Sequence, residues 1–88
     1  MWFTEIEWSE AVCDKLGSKH GVDMGEVIEA LGGEAYVLRA REGLHQVLGR
    51  TEAGRYLAVF VRDLGRSRVR VVTARDMDEA ERRHYSRR

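Results

Sequence analysis

The sequence has no proline, a single cysteine (Cys13) and no net charge, and aromatic residues fill only 8% of its 88 positions. One cysteine excludes an internal disulfide framework and leaves too few thiols for a zinc knuckle, so a reducing compartment, the cytoplasm, is expected. The absence of proline argues against rigid linkers and polyproline segments. No apolar run approaches the roughly 20 residues that span a bilayer, and Met1-Trp2-Phe3-Thr4-Glu5 lacks the basic region and apolar core of a secretory signal. What is present, 43% apolar and 34% charged residues, describes a soluble globule. The length suits one domain, 1–88, and cannot be divided into two cores.

The zero net charge hides an asymmetry. Residues 1–38 hold two basic residues (Lys15, Lys19) against eight carboxylates, whereas residues 39–88 hold thirteen arginines against seven carboxylates. Such a dipole raises the odds of nucleic-acid contact, although solvated surface charge explains it equally well.

Patterning gives an element order. Trp2 to Trp8 alternates loosely, as a short strand does, with Trp2 and Trp8 on the core side. Ser9 can cap a helix over Glu10 to Lys19 that stops at Gly21. Asp23 and Glu26 are spaced as a capping box for a second helix with Val27, Ile28 and Leu31 on its apolar side, ended by Gly32-Gly33. The texture then becomes β-rich: Ala35 to Arg41, Leu44 to Thr51, Arg55 to Arg62 and Arg66 to Ala74, joined by glycine-containing turns. The third of these, apolar on both faces, belongs in the sheet centre. Asp76 and Glu79 are spaced to cap a final helix through Tyr85 whose Met77 and Ala80 face the sheet. The expected fold is α+β, in the order β-α-α-β-β-β-β-α, an antiparallel sheet covered by helices on one face.

Several residues can carry chemistry. Arg66, Arg68 and Arg70 alternate along one strand, which spaces three guanidinium groups about 6.6–6.8 Å apart, a sensible phosphate track and equally a solvated edge. His20, His45 and His84 are the side chains that exchange protons near neutrality, and each also fits a structural role. Glu81 and His84 have the spacing of a di-iron ligand pair, but such sites need two pairs and further carboxylates, so no metal is expected. Gly49 to Arg55 lacks the ending of a phosphate-binding loop and reads as a hairpin, with Arg50 and Arg55 at the strand ends. Cys13 reads as a buried helix thiol.

Trp8, Lys19-His20-Gly21-Val22, Leu48-Gly49-Arg50, Gly54-Arg55-Tyr56-Leu57 and Arg70-Val71-Val72-Thr73-Ala74-Arg75-Asp76-Met77, followed by Glu81-Arg82 and Tyr85, together resemble the BrnT family of bacterial toxins over Ile6 to Tyr85. The resemblance implies a fold similar to RelE-type ribonucleases and the toxin role in a type II toxin-antitoxin pair. It further implies metal-independent cleavage of RNA without a cofactor, and a DNA-binding, BrnA-like antitoxin as protein partner. Carried over residue by residue, it assigns His20 or Tyr85 to proton transfer and Lys19, Arg50, Arg75 and Arg82 to charge stabilisation. Arg55, Arg66, Arg68 and Arg70 are the candidate nucleic-acid contacts. The chain departs from the family pattern at Ser9, Val12 and Leu16, where polar groups are usual. Those departures motivate a second reading, a non-catalytic module that binds a partner protein or nucleic acid. A self-associating domain, a homodimer driven by the charge asymmetry, is a third.

Overall fold

The computed structural model describes residues 3–87; the expectation for Trp2 and the terminal Arg88 lie outside them. Five strands and three helices follow one another as β1 (Glu5–Glu7), α1 (Glu10–His20), α2 (Met24–Gly32), β2 (Tyr36–Arg39), β3 (Leu44–Arg50), β4 (Tyr56–Gly65), β5 (Arg68–Asp76) and α3 (Glu79–Ser86). The expected order is the observed one. No described helix is long and apolar enough to cross a membrane.

The helix ends follow local chemistry. Ser9 accepts a hydrogen bond from the Val12 amide at 3.1 Å and starts α1, and Gly21 at φ 59° stops it in the left-handed conformation that glycine adopts without cost. Asp23 and Glu26 form the reciprocal capping box of α2. The last helix differs from expectation: its box is Asp78 with Glu81, two residues later than the pair Asp76 and Glu79. Asp76 still belongs to β5, and the later start turns Glu81 and Tyr85 toward the sheet while Ala80 is exposed.

The sheet order is β1-β5-β4-β3-β2, with β4 central as expected. All neighbours are antiparallel except β1, which lies parallel to β5 with Glu7 beside Arg70, so the sheet is mixed. Helices cover both faces instead of one. Leu57, Val59 and Val61 of β4 pack with Val69, Val71 and Ala74 of β5 under α1 and α2, which add Leu16, Val27, Ala30 and Leu31. The alternate residues Ala58 and Phe60 point to the other side, where Leu48, Tyr36, Leu38, Met77 and Tyr85 form a smaller cluster under α3. Trp8 and Ile28, expected in the core, are 37% and 44% exposed, and Cys13 is half-buried.

Two irregularities decide which way the arginines face. Arg66 and Ser67 have φ of 53° and 62°, the left-handed pair of a two-residue hairpin turn, so Arg66 leaves the strand in which it was expected. Between the pairs Phe60–Thr73 and Val61–Val71 the ladder skips Val72, a β-bulge. The extra residue reverses the alternation: Val69 and Val71 face α1 and α2, as does Ala74, and Arg75 is thereby turned to the α3 side.

Arg55 joins three elements at one end of the sheet. Its Nε and Nη2 donate to the two Asp76 oxygens (2.7 and 3.1 Å), Nη1 to Gly21 O (2.7 Å) and Glu26 (3.2 Å), and Nη2 also to His20 O (2.9 Å). These acceptors occupy all five N–H donors that a guanidinium has. Truncating a partner of a buried ion pair costs about 3–5 kcal/mol. The Arg55 side chain is 27% exposed, so Arg55→Met should lose about 2 kcal/mol in urea unfolding, a part of that buried-pair cost. A change within error would show that the clamp is decorative.

Candidate functional site

The α3 side of the sheet gathers four of the six residues expected to be catalytic. Arg50, the last residue of β3, stands directly across from Tyr56, the first of β4. The guanidinium carbon of Arg50 lies 5.1 Å from the centre of the Tyr56 ring and that of Arg82, on α3, lies 4.2 Å from the same centre. Both distances suit a cation–π contact. Neither arginine has a carboxylate in ion-pairing reach among the described residues. Gly54, at φ 96°, lies close beside it: a Cβ there would sit 3.1 Å from Nη2 of Arg50, a tight contact.

Arg75 lies on the same side but in a different electrostatic state. It is 5.4 Å from the Phe60 ring centre and is gripped bidentately by Glu81, with Nη1 and Nη2 donating at 2.7 and 2.9 Å. Glu81 also accepts from the Gln46 side-chain amide and from the Asp78 amide, which ties β3, β5 and the start of α3 to one carboxylate. Its side chain is 14% exposed. Arg75 foremost, then the Asp78 amide and Gln46, holds the Glu81 carboxyl below the usual carboxylate range. The Asp76 carboxyl is lowered mainly by its bonds to Arg55.

A carboxyl lowered in the fold contributes stability that is complete above its unfolded value near pH 4 and disappears as pH falls through the folded value. Urea unfolding should therefore show the protein weaker at pH 3 than at pH 7. Asp76→Asn with Glu81→Gln should flatten that dependence while lowering stability at pH 7; an unchanged slope would contradict these two pairs as its source.

Tyr85 is buried, its ring set edge-on to Tyr56 at 5.9 Å, and its hydroxyl donates to the Glu34 carbonyl at 2.8 Å. Lys19 and His20 are not brought to this cluster. They end α1 on the opposite side of the sheet, at the same sheet end, where Arg55 bridges His20 O and Asp76.

The residues expected to contact nucleic acid fare differently. Arg55 is taken up by its internal partners. Arg68 and Arg70 both lie against Glu7 of β1, at 3.0 and 3.8 Å, so the stripe is partly neutralised, and Arg66 sits in the hairpin turn. Tyr56 and Gln46 went unnoticed in the sequence as members of this cluster. Glu81 enters the sequence reading through the Glu81-Arg82 motif and its spacing to His84, not as the partner of Arg75, and the His84 ring packs 4.9 Å from Tyr36. The signals for Tyr56 are its place in the Gly54-Arg55-Tyr56-Leu57 motif and at a hairpin end.

The sequence matches no protein-family model, and no curated protein matches it. The fold is similar to the crystal structure of the Brucella abortus ribonuclease toxin, BrnT, with a TM-score of 0.71 and 20% identity, covering 86% of this chain and 100% of that one. The chain thus has the BrnT-like fold that its sequence motifs imply.

Proposed function

We propose that this protein is the toxin of a toxin-antitoxin pair, a metal-independent endoribonuclease that stops translation by cutting RNA and is restrained by a DNA-binding antitoxin. The observation that carries the reading is the pair of guanidiniums, Arg50 and Arg82, over one tyrosine ring without a carboxylate partner among the described residues, in a chain with a fold similar to that of a ribonuclease toxin. Cleavage without metal requires the ribose 2′-hydroxyl to attack the neighbouring phosphate, which gathers negative charge on a crowded phosphorane. Fixed cations that need not reorganise are the groups that stabilise such charge. In this reading Arg50 and Arg82 hold the scissile phosphate and Arg75, kept rigid by Glu81, lies beside it. The candidate for proton transfer, His20 with Lys19 beside it, stands across the sheet end from this pair, so this reading requires the RNA to reach around that end. Tyr85 holds the Tyr56 ring in place through their edge-on contact.

A second reading, a binding module without catalysis, draws on one specific fact: the proton-transfer candidates His20 and Lys19 lie across the sheet from the arginine pair. Total RNA incubated with the purified chain in EDTA separates the two. The toxin reading expects fragments, and loss of them in His20→Gln; the binding reading expects a retarded but intact RNA. RNA neither cut nor retarded would remove both.

A further inference from the structure

The outer side of α3 carries two further cations, Arg83 and Arg87, that the arginine pair does not include. Arg82, Arg83, Ser86 and Arg87, with Glu79 at one end, line a shallow groove of about 370 Å³ on the exposed surface of the helix. Arg82 belongs to both places, since its guanidinium lies over Tyr56 and its stem borders the groove. Arg83 and Arg87 are one helical turn apart, about 5.4–6 Å along the axis, close to the step between neighbouring phosphates of an extended strand.

The charges here are only loosely held. Arg83 approaches Glu79 only at 3.9 Å, with the two side chains 60% and 92% exposed. An exposed pair of that kind is worth little and yields readily to a stronger anion. Arg87 has no carboxylate in ion-pairing reach among the described residues, and Ser86 turns its hydroxyl inward to Arg82 O at 2.9 Å, so it does not compete with the cations. By contrast, Arg75 is held by Glu81, Arg55 is saturated, and Arg68 and Arg70 have one carboxylate, Glu7, between them, at 3.0 and 3.8 Å.

We propose that the groove formed by Arg82, Arg83 and Arg87 is a second phosphate subsite, which leads a bound RNA strand from the Arg50–Arg82 pair out over α3 and away from the arginines of β5. The inference rests on the reading of the arginine pair as a phosphate site. It adds the path of the strand beyond it. Neither Arg83 nor Arg87 is among the residues that carry the resemblance to BrnT-like toxins.

The test is the salt dependence of RNA binding. Fluorescence anisotropy of a labelled RNA of about twelve nucleotides and one of about four would be followed from low to high KCl, with the folded state of each variant checked by circular dichroism. Each phosphate neutralised on a single strand contributes about 0.7 to the slope of log affinity against log salt. Arg83→Gln with Arg87→Gln should lower the slope for the longer RNA by about 1.4, two such contributions, and leave the shorter RNA unaffected. Arg68→Gln with Arg70→Gln should change neither. A slope that responds to the β5 pair and ignores the α3 pair overturns the proposed path, even if RNA is cut. If the α3 pair sets the slope and no cleavage occurs, the subsite stands and the ribonuclease reading falls. Failure of the longer RNA to bind at low salt overturns both.

Discussion

Gly49→Ala is expected to lower the thermal midpoint by about 12–24 °C, the change that a loss of about 3 kcal/mol produces in a domain of this size. A Cβ at position 49 would lie 2.2 Å from the Ala30 carbonyl oxygen, 2.9 Å from its carbon and 3.2 Å from its Cα. All three are backbone atoms of α2, so no side chain can swing away, and either the helix lifts from β3 or the strand bends. Both movements open the core under Ala30, Leu31 and Val47, which are buried completely or nearly so. A domain of 88 residues holds roughly 4–13 kcal/mol of net stability, so the loss is a large share of it. Gly17→Ala is the control. Nothing lies within 4 Å of a Cβ there, and α1 should gain about 0.5–1 kcal/mol from the lower helix cost of alanine. Equal midpoints for the wild type and Gly49→Ala would mean that α2 does not press on the strand that delivers Arg50.

Arg82→Ala is expected to slow RNA cleavage by about 10²–10³, the usual cost of deleting one preorganised donor to a developing oxyanion. The side chain is exposed and, among the described residues, contacts no other element by hydrogen bond or ion pair, only the Tyr56 ring, so stability should change little. Arg82→Lys should recover only a small part, because an ammonium offers neither the planar stack on Tyr56 nor two parallel donors to phosphate. Tyr56→Leu should also slow cleavage, since it keeps bulk and removes the π face on which both guanidiniums rest. Arg68→Ala and Arg70→Ala should cut at nearly the wild-type rate, as their charge is already shared with Glu7. Initial rates on a defined RNA in EDTA decide the matter; equal losses in Arg82→Ala and Arg68→Ala would point to general electrostatic attraction instead of a fixed site.

Much of the fold was legible because it is written in local chemistry. The Ser9 cap, the Gly21 stop and the Asp23–Glu26 box depend on residues within one turn of each other, and each stands where the spacing placed it. The third helix was displaced by two residues because Asp76 and Asp78 both have an acidic residue three positions on; only the commitment of Asp76 to β5 and Arg55 selects the second. The parallel pairing of β1 with β5 joins residues some sixty positions apart, which no local pattern records. Within the site, the Val72 bulge had the largest hidden effect. Strict alternation assigns Arg75 to the α1–α2 side, and one unpaired residue reverses it. The neutralisation of Arg55, Arg68 and Arg70 was equally invisible, since their carboxylates come from distant segments. Arg50, by contrast, is singled out by its hairpin end and its motif and Arg82 by motif, and the fold brings them to one ring.

A double-mutant cycle on RNA affinity tests most directly whether these two arginines act on one phosphate. Dissociation constants for the wild type, Arg50→Ala, Arg82→Ala and the double variant would be measured at low salt on one short RNA. Two groups gripping the same phosphate are coupled by about 0.5–3 kcal/mol, so the double variant should bind only slightly more weakly than the worse single one. Losses that simply add, with no coupling, would mean that Arg50 and Arg82 meet different parts of the RNA, and the shared site on Tyr56 would have to be abandoned.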